Sequence, residues 1–312
     1  MDDPLSELLN VAGVSGSLIS RAHLARPFGV ASPDIGRSVF HTPRTGSCWI
    51  RTVDAGPFTL RPGDIAVVSR GSAHDIYDAE GSPLTAIDRF ARADTGGLPT
   101  LIDDGSPDLD LLCGTFQFGE PAHTWLVGPL PALMVVRSDE GSGFVKATLA
   151  LLDAELASGG LGTRLVADRL VEMLVIHVLR GWARQQGASA RGWLAGLSDP
   201  QLARAIAAVH AAPGAGWDLP GLARVAGLSR TRFIERFRAR VGLPPGEFVL
   251  GWRIAVARRA LRDGAGVTEA AEQAGYASEA SFTRAFKRVV GVSPGAWRKR
   301  SSASRSGARP AK

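Results

Sequence analysis

The sequence predicts an α+β multidomain protein: a β-barrel or sandwich to about residue 140, helices over 142–186, and an all-α region from about residue 200. Three observations predict it. Short β-like runs broken by Gly, Pro and Asp fill the first part. Apolar residues three and four apart follow. A segment of about 23 residues then occurs twice in the last third. With 312 residues, 45% of them hydrophobic, the chain has apolar material for about two cores.

Taken in order, the opening MDDPLSELLN is acidic and lacks the basic-then-apolar layout of a signal peptide. No run approaches the ~18 apolar residues of a membrane span, so a cytoplasmic protein without a membrane partner is expected. Strands are expected in SCWIRTV, PFTLRPGDIAVVS, LTAIDRF and GTFQF. Cys48 and Cys113 form no CxxC pair, which fits a reducing compartment and argues against a disulfide framework or a cysteine-rich zinc module. Helices are expected in SGFVKATLALLDAELAS and GTRLVADRLVEMLVIHVLRGWARQQ. In the second, Leu165, Leu170, Leu174, Val178 and Trp182 form a stripe that faces either a second copy of the chain or the barrel. GASARGWLAGLSDP has linker composition, with Ser198, Asp199 and Pro200 as a helix-start signal. The expected boundaries are therefore 1–190 for the first domain, 191–200 for a linker, 201–300 for the helical domain and 301–312 for a disordered basic tail.

Charge separates the same halves. Residues 201–312 hold 20 Lys+Arg against 7 Asp+Glu, a net of +13, while residues 1–200 carry −7. Without everything after Trp297 the helical part still keeps +7. A basic domain beside an acidic one points to a polyanion as partner of the former.

The repeat explains the basic domain. AGLSRTRFIERFRARVGLPPGEF starts at Ala226 and AGYASEASFTRAFKRVVGVSPGAW at Ala274, with Gly227/Gly275, Ser229/Ser278, Phe233/Phe282, Phe237/Phe286 and Gly242/Gly291 in register. Each copy follows a short small-residue helix ending at a glycine that turns the chain left-handed. A serine then sits at the N-cap of the next helix. Ala223 and Ala271 allow the paired helices to cross closely. This is a helix-turn-helix, whose second helix enters a major groove. The phenylalanine pairs lie on the inner face. Thr231 and Glu235 point away from it with Arg232 and Arg238 beside them, as do Ser281, Arg284 and Lys287 in the second copy. FVLGWRIAVARRALRDG between the copies is long enough to hold two reading heads a DNA turn apart.

On these motifs, residues from about 200 to 300 resemble the DNA-binding domain of AraC/XylS transcription regulators, which carries two helix-turn-helix units bridged by a long helix. The resemblance implies that exposed positions early in each second helix read bases. The candidate DNA-binding residues are Ser229, Arg230, Thr231, Arg232, Ile234, Glu235 and Arg238 in the first copy. In the second they are Ser278, Glu279, Ala280, Ser281, Thr283, Arg284, Lys287 and Arg288. Many relatives have Arg where Glu235 stands; a carboxylate accepts from a cytosine amino group or contacts no base.

GDIAVVSRGSAHDIYD resembles the second half-motif of cupins, with Gly63, Gly71, His74 and Asp78 in place but Ser69 and Asp78 where cupins have Pro and Asn. The first half-motif, with its HxH ligands, is missing, and VFHTPRTGSCWIRTVDAG offers only His41. The layout resembles the cupin-like sensor domains of AraC-type regulators, which implies a small-molecule effector. His41, Trp49 and His74 are the candidate contacts, with His74 able to donate to an anionic or carbonyl ligand. A metal would have to draw on His41, His74, Cys113 and His123, whose spacing supports no site, so no cofactor is expected. His177 and His210 fit packing roles. The resemblance further implies double-stranded DNA, a second copy of the chain and RNA polymerase as partners. No catalytic constellation stands out, and no enzyme activity is expected; the alternative is a cupin-type metal-binding protein or enzyme fused to a DNA-binding domain.

Overall fold

The computed structural model describes residues 4–95, 98–102, 105–118, 127, 130–138, 143–186 and 192–306. The chain forms two compact units: residues 14–117 with 130–187, and residues 1–13 with 118–129 and 188–312.

The first unit is built on twelve strands among the described residues: β1 (Val14–Leu24), β2 (Gly29–Ser32), β3 (Ser38–Thr45), β4 (Cys48–Thr52), β5 (Phe58–Leu60), β6 (Ile65–Val68), β7 (His74–Tyr77), β8 (Thr85–Ala86), β9 (Ala91–Thr95), β10 (Leu98–Ile102), β11 (Leu109–Phe118) and β12 (Leu133–Val136). They form a seven-stranded sheet in the order β12-β6-β3-β11-β1-β10-β9 and a five-stranded sheet in the order β5-β4-β7-β2-β8. Apolar residues of both sheets, among them Leu24, Ala66 and Leu111 from one and Val30, Ile50 and Ile76 from the other, share a single core. LTAIDRF, expected as a strand, gives only β8 and a 3-10 turn at Ile87–Arg89. Ile87 and Phe90, three apart, both pack on the core, a spacing that a strand of period two cannot serve.

Helices α2 (Gly143–Ser158) and α3 (Thr163–Gln186) follow as expected. The two readings of the α3 stripe are now separable. Leu174, Val178 and Trp182 are buried, and Leu174, Val175, Val178 and Leu179 face Phe40, Val67, Phe116 and Met134 of the seven-stranded sheet. That covering explains why β3 is buried on both faces from Ser38 to Pro43 instead of alternating. Leu165 alone of the stripe stands 62% exposed.

The second unit is helical among its described residues. It comprises α1 (Pro4–Ala12), α4 (Trp193–Ser198), α5 (Pro200–Ala211), α6 (Leu219–Ala226), α7 (Arg230–Val241), α8 (Pro245–Asp263), α9 (Val267–Gln273), α10 (Glu279–Val290) and α11 (Pro294–Ser306). Three expected boundaries change. Residues 4–12, expected with the barrel, form α1, which buries Leu8, Leu9, Val11 and Ala12 and packs on α5 and α8. The expected linker at 191–200 contains α4, with Trp193 and Leu194 buried. Its small residues serve packing: the Gly192 N–H donates to the Arg240 carbonyl, and a Cβ on Gly196 would lie 2.7 Å from Val241. The tail expected from 301 is helical to Ser306, since no Gly or Pro interrupts the run from Ala296 to Ser306; residues 307–312 lie outside the described residues.

Candidate DNA-reading surface and barrel cavity

Both helix-turn-helix units are built as the sequence implies. Gly227 and Gly275 take φ of +67° and +76°. Ser229 accepts from the Arg232 N–H and Ser278 from the Ser281 N–H, so each hydroxyl caps its helix. Phe233, Phe237, Phe282 and Phe286 are buried, and Ala223 and Ala271 fill the crossings. This inward pinning orients the opposite faces. Arg230, Thr231, Arg232, Glu235 and Arg238 are exposed on α7, with Ile234 half-buried. On α10, Glu279, Ala280, Arg284, Lys287 and Arg288 are exposed, while Ser281 and Thr283 are half-buried. Two of these groups are already engaged. The Glu279 carboxylate accepts from Thr268 at 2.9 Å, and the Ser281 hydroxyl donates to the Ser278 carbonyl at 2.8 Å.

In the barrel, three of the candidate histidine and cysteine residues converge. His41 on β3 and Cys113 on β11 are cross-strand partners, and His74 on β7 reaches them from the opposite sheet. His41 Nε2 lies 2.9 Å from His74 Nε2, His41 Nδ1 lies 3.1 Å from Cys113 Sγ, and His74 Nδ1 lies 2.8 Å from the Ser72 carbonyl. A carbonyl only accepts, so His74 carries its proton on Nδ1 and accepts at Nε2. His41 therefore donates from Nε2 and accepts the thiol proton at Nδ1. Burial keeps this chain neutral. It lowers both imidazoles, His41 further through the neighbouring His74, while a hydrogen bond to the Ser72 carbonyl opposes the effect at His74. Burial also pushes the Cys113 thiol up to about 12. The chain borders a cavity of about 120 Å³ whose walls include Leu24, Val30, Ile76, Leu101 and Leu111.

Two expectations are corrected here. Trp49 does not reach the cavity: strand alternation turns Cys48 and Ile50 of β4 inward and leaves Trp49 outward, 37% exposed. His74 has no nitrogen to offer an anionic ligand, because both are bonded and burial keeps the ring neutral. A metal fits the described residues poorly. The two facing Nε2 atoms hydrogen-bond each other and the thiol sits on the far nitrogen of His41, so three donors share no common point; among the described residues no group of three ligands exists. His123 lies outside the described residues.

A family model described as a helix-turn-helix domain matches residues 222–300, and one described as a cupin matches residues 3–184. A putative AraC-like transcription regulator of Streptomyces lividans is 34% identical over 307 residues, 95% of this chain and 98% of its own. The chain belongs to the AraC-like transcription regulators. A second putative AraC-like regulator, from Streptomyces antibioticus, is 34% identical with the same coverage. An uncharacterised HTH-type transcriptional regulator of Haemophilus influenzae is 30% identical over 302 residues, 95% of this chain and 98% of its own.

In this AraC-like regulator the turn of each helix-turn-helix unit is closed by an arginine that sequence reasoning missed. Arg204 of α5 donates to the Ala226 carbonyl at 2.9 Å, closing the first turn. Arg253 of α8 donates to the Ala274 carbonyl at 2.7 Å and to the Gly275 carbonyl, closing the second, with its guanidinium 4.1 Å from the Tyr276 ring centre. The signal was present one helix upstream of the repeat, since the two arginines precede their carbonyls by 22 and 21 residues. Asp199 caps α5 and also takes Arg236 of α7 at 2.7 Å. Burial alone would raise its carboxyl, but the bonds from Arg236 and from the Leu202 and Gln201 N–H groups hold it below the usual range. No helix among the described residues is long and apolar enough to cross a membrane.

Proposed function

We propose that this DNA-binding transcription regulator reads one operator with α7 and α10 together, under the control of a small molecule held in the barrel. The observation that supports the reading most is the matched pair of capped, basic, outward-facing helices, each pinned by two buried phenylalanines. Arg230, Thr231, Arg232, Glu235 and Arg238, with Ala280, Arg284, Lys287 and Arg288, have exposed side chains that can approach a groove; Ser229 and Ser278 act as caps. Glu279 first has to leave Thr268. The protein acts as a cytoplasmic homodimer, contacts RNA polymerase at its promoters, and carries no catalytic activity of its own.

Selection of bound fragments from a random duplex pool by the full-length protein tests the reading. A motif of two elements about 10 base pairs apart is expected, with log affinity falling linearly with log salt as phosphate contacts release counterions. A pool without sequence enrichment would overturn it.

A further inference from the structure

We propose that the barrel cavity takes an uncharged, apolar molecule about the size of one aromatic ring; the inference rests on reading the barrel as the effector-binding unit. Size is the first argument. The cavity measures about 120 Å³. Apolar cavities of about 150 Å³ remain dry and admit benzene.

The second argument is the wall. Among the described residues no Lys, Arg, Asp or Glu lines the cavity. Its imidazoles and thiol form a closed chain in which every proton has a direction: Cys113 to His41, His41 to His74, His74 to the Ser72 carbonyl. Ser20 adds a hydrogen bond at the thiol. Outside this chain only the Ser20 and Ser32 hydroxyls among the described lining residues could meet a polar group, so a ligand with several strong donors or acceptors would have to break the chain or leave some unbonded. An ionic ligand would lose its water with no counter-charge to meet it. An apolar molecule has neither difficulty and gains by leaving water.

The third argument is access. Ser32, Pro33, Ile35 and Ile87 also line it, and Ile35 is 40% exposed, so the cavity has a largely apolar rim just after β2. The histidines are then part of the wall, tying the two sheets across the cavity.

Full-length protein titrated with toluene and cyclohexane, and with benzoate and benzylammonium as charged molecules of like size, tests the inference by melting temperature and direct binding. The neutral probes should bind saturably and at least ~100-fold more tightly than the charged ones, given the penalty on an unpaired buried charge. Ala22→Phe, which fills the cavity, should abolish their binding. Should that variant fail to fold, Leu111→Ala enlarges the same wall and should admit naphthalene, which the wild type refuses. Benzoate or benzylammonium binding as tightly as toluene overturns the inference. So does the failure of every neutral probe to bind either wild type or Leu111→Ala. The effector reading fails separately: toluene that binds without changing affinity for the selected DNA sustains the ligand class and removes the control. Selected DNA that responds only to a charged or sugar-like compound does the reverse.

Discussion

His41 and His74 share one proton between their Nε2 atoms, 2.9 Å apart, and each is only 4% exposed. Their facing groups are the neutral Cys113 thiol, the Ser72 carbonyl and, more weakly, Asp75. Both imidazoles lie below the ordinary histidine value because burial disfavours the cation, while unfolded histidine titrates near 6.5. Below about pH 6.5 the unfolded chain therefore binds protons that the folded barrel refuses, and stability falls as pH falls, being fully present above that range. Melting curves from pH 8 to pH 5 should show this drop, and a His41→Leu/His74→Leu double variant should show a shallower one; equal slopes would contradict the neutral assignment. On α10, Arg284 and Lys287 are both exposed basic residues, yet they stand at different distances from the helix N-terminus that leads into a groove. Arg284→Ala should cost about 1–3 kcal/mol at its own base pair and relax specificity there. Lys287→Ala should weaken binding evenly and reduce the salt slope by about 1. Binding measured on single-base operator variants over a salt series distinguishes the two. The sequence named His41, His74 and Cys113, but not their meeting. They are 33 and 72 residues apart, and only the pairing of β3 with β11 and the facing of two sheets bring them together. Trp49 went astray for a simpler reason: one residue of register decides which face a strand residue takes.

At the level of elements, each turn between paired helices is held from outside by an arginine of the helix before it. Arg253 is the clearer case, with two carbonyls and an aromatic face in its grasp. Arg253→Ala should lower operator affinity although no contact to DNA is assigned to it, and the loss should fall on the half of the operator that α10 reads. Arg253→Lys should not restore it, because an ammonium cannot span two carbonyls or stack as a guanidinium does. Footprints of the two variants on the selected operator give the result, and even weakening of both halves would refute the local role. The helix-turn-helix units, α2 and α3 were legible because their apolar spacing and caps agree. α4 was not, since glycine and alanine that permit close approach to α7 have the same composition as a linker. α1 is only nine residues long, too few turns for an apolar stripe to stand out in the sequence.

For the whole molecule, the +13 of the C-terminal third overstates what faces DNA. Arg204, Arg236 and Arg253 are committed to carbonyls and a carboxylate, and Arg258 is buried over the Trp297 ring at 4.5 Å. Charge counting located the right domain without locating its face. On the other unit, α2 and α3 present Phe144 (65% exposed), Leu151 (55%), Leu165, Val166 and Met173. Phe144 and Leu151 are seven apart, as are Val166 and Met173, and Phe144 stacks on His177, so the two apolar rows adjoin. Exposed apolar rows of this kind are common at interfaces, and the proposed homodimer can be tested at this one. Leu165→Lys should shift full-length protein toward monomer in sedimentation, with its melting temperature nearly unchanged; an unaltered association state would place the interface elsewhere. The docking of α1 on α5 and α8 has a consequence for how the chain can be taken apart. Residues 1–13 and 118–129 belong to the helical unit, while the barrel segments follow each of them, so a single cut does not free either piece. With a protease site inserted at residues 187–191, cleaved protein should elute as one particle, the barrel still leashed through Gly13 to a helix gripped by the other fragment. Replacing Leu8 and Leu9 by aspartate as well should loosen the hold of the helical fragment on α1 and let the two fragments begin to part.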